Sequence, residues 1–517
     1  MVTDLHSHRR WTTTKIWGRF LVLSLFFATS GQATELPTQY RPLVAAVHVH
    51  STASTGSLTL EELAVRAEQL HIEALLLTEN LALHYEYGIQ PFESAAKISM
   101  SFRSLNNTGI ENYLKNVEAV QGRHPKVLLI PGVEVAPYYF WSGSLLDKNL
   151  TMHNAQRNLL VFGLTGPQAY RTLPAIGNFG SYHNKTNWVA GAIPALLVLS
   201  AVWVGAPRLR SAAAPGWSSK PRSNAKPIIA GLLVMLAAVM VVTAWPLTDP
   251  PFSPYEQALG FKPYQALIDA AAAQGGMAFW SLPEARDFRR QSLGPAGTIT
   301  IKTDPHPEAL LLTERHHGFG GLYQEARTAH VPGGVWDQLL DLYQTRQRSV
   351  RPAMIGEIAF HSPDHAKKEL DQVLTVFWVR ERTAAGVLEA LREGRAYAVE
   401  RYKKEFRLQL DRFTIRTGSS PTGTIPGDRI QHSASEPVTV SVRVSTTDQT
   451  AHPVAVRVIR SGQVITKRDG STPLEFELTD QTSPASPPAA YRLEVTGGGV
   501  GELLSNPIYV SSDPLRH

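Results

Sequence analysis

His48 and His50 flank a single valine in "VAAVHVHSTAST", Val44 to Thr55, where an apolar run gives way to Ser, Thr and Gly. Residues two apart in an extended strand point to the same side, so the pair would present two imidazoles on one face at the strand's end. Two imidazoles there are half of a metal site, or else a pair of hydrogen-bonded histidines closing a strand, and the spacing alone leaves both open. Glu79 with Asn80 in "LLLTEN", Glu134 in "LLIPGVEV" and His361 in "GEIAFH" stand where further apolar runs end.

Strands must carry these positions. Short apolar runs alternate with helix-patterned stretches: "PLVAAVHV", "TLEELAVRAEQL", "IEALLLT", "KVLLIPGVEV" and "NLLVFGL", then "KPYQALIDAAAAQ", "GGMAFWS", "GFGGLYQ" and "AMIGEIAF". About seven strands separated by helices make the pattern of an α/β domain with a largely parallel sheet, open or closed into a barrel. In such folds reactive residues gather at the carboxyl ends of strands, where His48, His50, Glu79, Asn80, Glu134 and His361 all fall. From about Lys404 the pattern becomes alternation without helices, as in "PVTVSVRVS" and "AAYRLEVTG", which predicts a C-terminal β-sandwich over 404–517.

The chain has 517 residues, 43% of them hydrophobic and 18% charged, enough for several domains with substantial cores. It contains no cysteine. That excludes disulfides, thiolate ligands and cysteine nucleophiles, so any metal must be held by His, Asp, Glu or water. The net charge of +6 and pI of 9.3 would suit nucleic acid, but no aromatic-interleaved basic patch or zinc-finger spacing accompanies them, and no nucleic-acid partner is expected.

The basic residues instead point to a membrane. Residues 1–33 have the charged, apolar, small-residue order of a signal peptide or N-terminal anchor, with "FLVLSLFFA" at its centre. Residues 188–247 hold two apolar runs, "WVAGAIPALLVLSAVWVGAP" and "PIIAGLLVMLAAVMVVTAWPL", each about the 20 residues that cross roughly 30 Å of hydrocarbon. Arg208, Arg210, Lys220, Arg222 and Lys226 lie between them without an acid. The positive-inside rule then predicts a two-helix transmembrane hairpin with a cytoplasmic loop. The lipid bilayer is thus an expected partner, and both large flanks are expected outside the cytoplasm, on the periplasmic face of the inner membrane in a bacterium. The hairpin would interrupt one domain, giving a first part over 40–187 and a second over 248–403.

Together these segments resemble the polymerase and histidinol phosphatase (PHP) domain family. The resemblance runs from "AAVHVHSTASTGSLTLEELAVRAEQLHIEALLLTEN" through "LLIPGVEVAP", "YQALIDAAAAQGGMAFWSLPEA" and "GEIAFH" to "TAAGVLEALREGRAYAV". It implies a distorted seven-stranded α/β barrel and a metal-dependent phosphoesterase acting on a phosphorylated small molecule. It also implies metal ligands at His48, His50, Glu134 and His361, with Glu79 as a candidate catalytic acid. The chain departs from the family's pattern elsewhere. Asn80 stands where a histidine ligand is usual, Leu282 of "SLP" occupies another ligand position, and Ala359 replaces the acid of an Asp-x-His motif. Leucine and alanine donate no lone pair to a metal. The resemblance therefore implies one divalent ion, zinc, manganese or iron, rather than a cluster of three. Two functions stay open: a phosphoesterase with a reduced site, and an inactive barrel that serves as a ligand-binding or protein-interaction module.

Other polar groups fit this picture loosely. His306, His316 and His317 read as solvated. His84, Tyr85, Glu86 and Tyr87 read as the mouth of a pocket or a packed aromatic loop. The arginines of "KEFR" and "RQRSVRP" read as solvated charge, with phosphate binding as the alternative.

Overall fold

The computed structural model describes residues 39–511 except 89–92, 94–96, 146, 183–187, 207–224, 245–248, 293–296, 325–326, 366–367, 419, 433–435 and 481–487. The signal read into residues 1–33 lies outside them.

Strand Arg41–Val49 is buried on both faces from Ala45 onward, as a strand covered on two sides must be. It pairs parallel with Ala74–Leu77 and antiparallel with Val373–Val379, and Ala74–Leu77 pairs parallel with Leu128–Ile130. Two of these strands turn a corner. Past Thr78 the chain resumes as Glu79–Asn80, and past Pro131 as Gly132–Val135. These continuations pair with each other in a second, six-stranded sheet that goes on through Leu159–Phe162, Met277–Trp280, Gly318–Leu322 and Ala353–Gly356.

Side-chain alternation divides the core. Ala45 and Val47, with Leu76, Leu160, Phe279 and Ile355, fill one apolar cluster, whereas Ala46, Leu75 and Val161 join a larger one with the helices. Helix Leu60–Gln69 shows why it forms where it does: Leu60, Leu63, Ala64 and Ala67 make its buried stripe. Thr59 caps it, accepting from the Glu62 amide while Glu62 accepts from the Thr59 amide at 2.8 Å, a reciprocal cap worth about 1 kcal/mol. This fixes the far end of the loop that follows His50.

Three expectations are corrected. The strand order is not the largely parallel one expected: Leu159–Phe162 runs antiparallel to both neighbours, and strands bent at Thr78 and Pro131 serve one sheet and then a second, whose far edge a parallel bridge of Phe360 to Val49 joins back to the first strand. The transmembrane hairpin at 188–247 is not supported. Helices Trp188–Gly205 and Ala225–Ala244 form and pack together, but among the described residues no helix is long and apolar enough to cross a membrane. The first is 18 residues long with Pro194 inside it, and the second, 20 residues long, carries Lys226 in its first turn.

The C-terminal strands are also less separate than their composition suggests. Ala396–Arg401 pairs antiparallel with Gly501–Ser505, so the sheet that starts at Leu128–Ile130 continues into this region as eleven strands. A four-stranded sheet, Ser420–Thr424, Leu408–Thr417, Val438–Thr446 and Leu474–Asp480, contributes Leu408, Val440 and Val442 to the same core as Val456, Leu493 and Leu503. The described residues form one compact unit.

Candidate metal centre

The first strand does not reach its end as a regular strand. Its pairing shifts register between Val47 and Val49, and His48 has φ +71°. The extra residue is a β-bulge, which re-aims side chains. His48 and His50 therefore converge through a bulge, not through strict alternation, with ring centroids 5.1 Å apart. Gly56 closes the following loop so tightly that a Cβ there would strike the His50 carbonyl.

Glu134, from Gly132–Val135, lies between the imidazoles: Oε1 is 3.2 Å from His48 Nε2 and Oε2 is 3.6 Å from His50 Nε2. All three residues are buried, and their candidate ligand atoms lie within 4.8 Å of one another. Neither buried Nε2 atom makes a well-directed hydrogen bond, His48 Nε2 meeting Glu134 as an ion pair. Buried nitrogens so loosely satisfied beside a carboxylate are costly unless a further group binds them.

Surrounding groups hold this arrangement. Glu357 accepts from His48 Nδ1 at 2.8 Å, from Ser281 Oγ at 2.9 Å and from the Leu282 amide at 2.6 Å. A carboxylate on Nδ1 fixes the tautomer and leaves Nε2 as the ligand nitrogen. Gly320 makes room for it, since a Cβ there would land on the Glu357 carboxylate. Glu134 accepts from the side-chain amides of Asn80 and Asn158, each at 2.6 Å. Asn80 is thus a clamp on the carboxylate, and its oxygen accepts from Thr55 at 2.7 Å.

Electrostatics agree with a cation site. Burial alone would lower the His48 pKa, but Glu134 and then Glu357 outweigh it and raise it from 6.5 to about 9. Burial would raise the Glu134 pKa, but His48 and His50 hold it at about 2. His50 is pushed well below 6.5 by burial and by His361. A divalent cation that displaced the His48 proton would lie beside the buried Glu134 carboxylate and the Glu357 carboxylate behind His48. The donor set of two imidazoles and one carboxylate fits such an ion and leaves a coordination position open.

The remaining expected residues lie around this set. His361 stacks on His50, centroids 4.1 Å apart and planes 8° apart, and its Nδ1 lies 2.9 Å from Thr55 Oγ1. It is brought there because the Phe360 amide donates to the His48 carbonyl and the His50 amide to the Phe360 carbonyl, each at 2.9 Å. Glu79 is fully buried, accepts from the Ser51 amide at 2.9 Å and from the Ser51 and Ser54 hydroxyls, and burial raises its pKa to about 7. It does not line the cavity at the site, so its contacts make it an anchor for the Ser51–Ser54 loop. Leu282 and Ala359 do line the cavity.

That cavity, about 570 Å³, opens from His48 and Glu134 past His361 and carries the cationic side chains of Arg286, Arg289 and Lys368.

No family model matches the chain, and no curated protein matches it. Among solved structures it is similar to a two-domain protein from Bacteroides vulgatus containing a predicted PHP-like metal-dependent phosphoesterase. That likeness has 12% identity and a TM-score of 0.34, covering 92% of this chain and 98% of the other. It is also similar to an amidohydrolase from Chromobacterium violaceum with bound sulfate and no metal, at 14% identity, TM-score 0.25 and coverage of 62% and 88%. A third is a candidate metal-dependent phosphoesterase from Bifidobacterium adolescentis, at 12% identity, TM-score 0.23 and coverage of 61% and 87%. At these scores the likeness carries no argument, and the site stands on its own residues.

Sequence reasoning misplaced several groups. His306, His316 and His317 are buried, not solvated: the His316 ring lies between the Gly318 carbonyl, 3.3 Å from Nδ1, and the Leu310 carbonyl, 3.1 Å from Nε2. Of the arginines of "RQRSVRP", Arg348 turns inward to the Thr313 carbonyl and Arg351 pairs with Glu393, while Arg346 is exposed. Glu357, Ser281 and Asn158 were missed as supporting residues. An acid at the end of the apolar run "AMIGEIAF" was the one available signal for Glu357.

Proposed function

We propose that this chain is a PHP-like phosphoesterase with a reduced, single-ion centre held by His48, His50 and Glu134. The observation that carries the reading is the convergence of two buried imidazoles and one buried carboxylate, their candidate ligand atoms within 4.8 Å of one another. A divalent ion bound there supplies positive charge to a phosphoryl oxygen and lowers the pKa of water.

The chain's own groups do the rest. Glu357 holds His48 in the tautomer that presents Nε2. Asn80 and Asn158 fix the Glu134 carboxylate in place. Arg286, Arg289 and Lys368 line the cavity and suit the anionic head of a phosphorylated small molecule, guanidinium groups matching its oxygens. His361, on the cavity wall with Nδ1 near Thr55, is placed to orient the substrate or add a fourth ligand. Leu282 and Ala359 offer no lone pairs where further ligands would stand, which limits the centre to one ion. The same two residues favour a second reading, a binding module that keeps the ion without catalysis.

Elemental mass spectrometry of the purified full chain, beside the double variant His48→Ala, His50→Ala, tests the proposal. About one divalent ion per wild-type chain, absent from a folded variant, is the expected result. Chelator-sensitive phosphate release from monoesters then separates the enzyme from the binding module. A wild-type chain that holds no ion after incubation with zinc, manganese or iron overturns both.

A further inference from the structure

Beside the metal cavity lies a second cavity of about 420 Å³ with a different character. Its walls include Tyr85, Tyr87, Met100, Trp141, Met152 and Ile301. They come from elements outside the two main sheets: the hairpin His84–Gly88 with Lys97–Ser101, and a four-stranded sheet of Phe140–Ser142, Thr151–His153, Thr298–Thr303 and Asp287–Ser292. These elements carry an apolar cluster of their own, in which Trp141, Leu150 and Met152 pack with Tyr85, Tyr87 and Ile301.

The polar atoms of this wall are largely committed. The Trp141 indole N–H donates to the Glu86 carbonyl at 2.7 Å, and the Glu86 carboxylate pairs with Lys97 at 2.8 Å. An apolar occupant would leave these bonds intact. Four residues, Thr55, Leu83, Gln156 and Arg289, line both cavities. Thr55 also bonds to Asn80 and approaches His361, so the junction is one contact from the Glu134 clamp. Arg289, paired with Asp287 at 3.1 Å, sets a cation at the boundary. One end of the joined space is cationic and the other aromatic and aliphatic, the arrangement that orients an amphiphile.

We infer that the substrate is the phosphate ester of an apolar alcohol, its head in the metal cavity and its hydrocarbon part among Tyr85, Trp141, Met152 and Ile301. This rests on the phosphoesterase reading above and names the substrate class of that same site.

The test compares ethyl, butyl and octyl phosphate on the metal-loaded full chain, since primary alcohols leave with nearly equal intrinsic reactivity. The variants Met100→Asp and Ile301→Trp change the apolar wall, with metal content per chain as the control for folding. KM falls with chain length, by about fourfold per methylene buried, while kcat stays nearly level, because this contact is equal in ground and transition states. The variants lose that dependence. Equal KM values across the series overturn the apolar subsite and leave the phosphoesterase standing.

If no ester is hydrolysed, the phosphoesterase reading fails, and displacement of 1-anilinonaphthalene-8-sulfonate by octyl phosphate decides the cavity. Displacement from wild type but not from Ile301→Trp supports an apolar binding site. No displacement overturns it.

Discussion

Glu357 decides which nitrogen of His48 faces Glu134, and it does so without lining the metal position itself. Replacing it with glutamine keeps the shape and removes the charge that holds the Nδ1 proton. Glu357→Gln is expected to weaken metal affinity by about 10- to 100-fold while circular dichroism stays unchanged, measured by competition with a chromophoric chelator. Wild-type affinity in the variant would remove Glu357 from the site. The pH dependence follows from His48. Its folded pKa is raised from 6.5 to about 9, so in the metal-free protein the ion pair's stabilisation is complete below pH 6.5 and is lost as pH rises through about 9. A metal must displace that proton, so affinity should climb across the same window, by about tenfold per pH unit. Chelator competition at several pH values checks this, and a flat profile would sink it. The three candidate ligands were legible because "VHVHS" and "PGVEV" are local patterns. Glu357 was not, because its partner His48 lies 309 residues away and hydrogen bonds of that separation leave no spacing to read.

Three backbone positions at the ends of strand segments share an uncommon conformation: His48, Leu282 and Ala359 have φ of +71°, +42° and +47°. Each is strained for a residue with a Cβ, by about 1–2 kcal/mol, and such outliers gather at functional sites. Here the bend persists at Leu282 and Ala359 although neither side chain can bind a metal. Ala359→Gly should relieve strain and stabilise the fold by up to about 1 kcal/mol, read as a higher midpoint in urea. A lower midpoint would mean that the Ala359 methyl contributes more by packing than its backbone costs. Strands and the Thr59 cap were readable from period and composition, whereas the bulge was not, since no glycine marks it in "VAAVHVHS". The corner at Pro131 had a visible cause, but the matching corner at Thr78 depends on which sheet accepts the chain, a tertiary choice.

At the scale of the molecule, a buried charge network ties the C-terminal strands to the earlier part of the unit. Arg492, fully buried, donates to both oxygens of Asp337 at 2.8 and 2.7 Å, to Glu494 at 2.6 Å and to the His330 carbonyl at 2.8 Å. Removing one partner leaves a buried charge poorly compensated, so Asp337→Ala should destabilise the protein by about 3–5 kcal/mol, seen as a shifted single unfolding transition. A small effect would show that Glu494 alone suffices for Arg492. Composition marked the change of pattern near Lys404 but hid this union, because pairing between Ala396–Arg401 and Gly501–Ser505 has no signature in either strand. The distance along the chain from His48 to Glu357 also has a consequence for synthesis. At about 5–20 residues per second, His48 leaves the ribosome roughly 15–60 s before the carboxylate that fixes its tautomer. During that interval His48 can present either ring nitrogen to whichever metal ion the surroundings offer first.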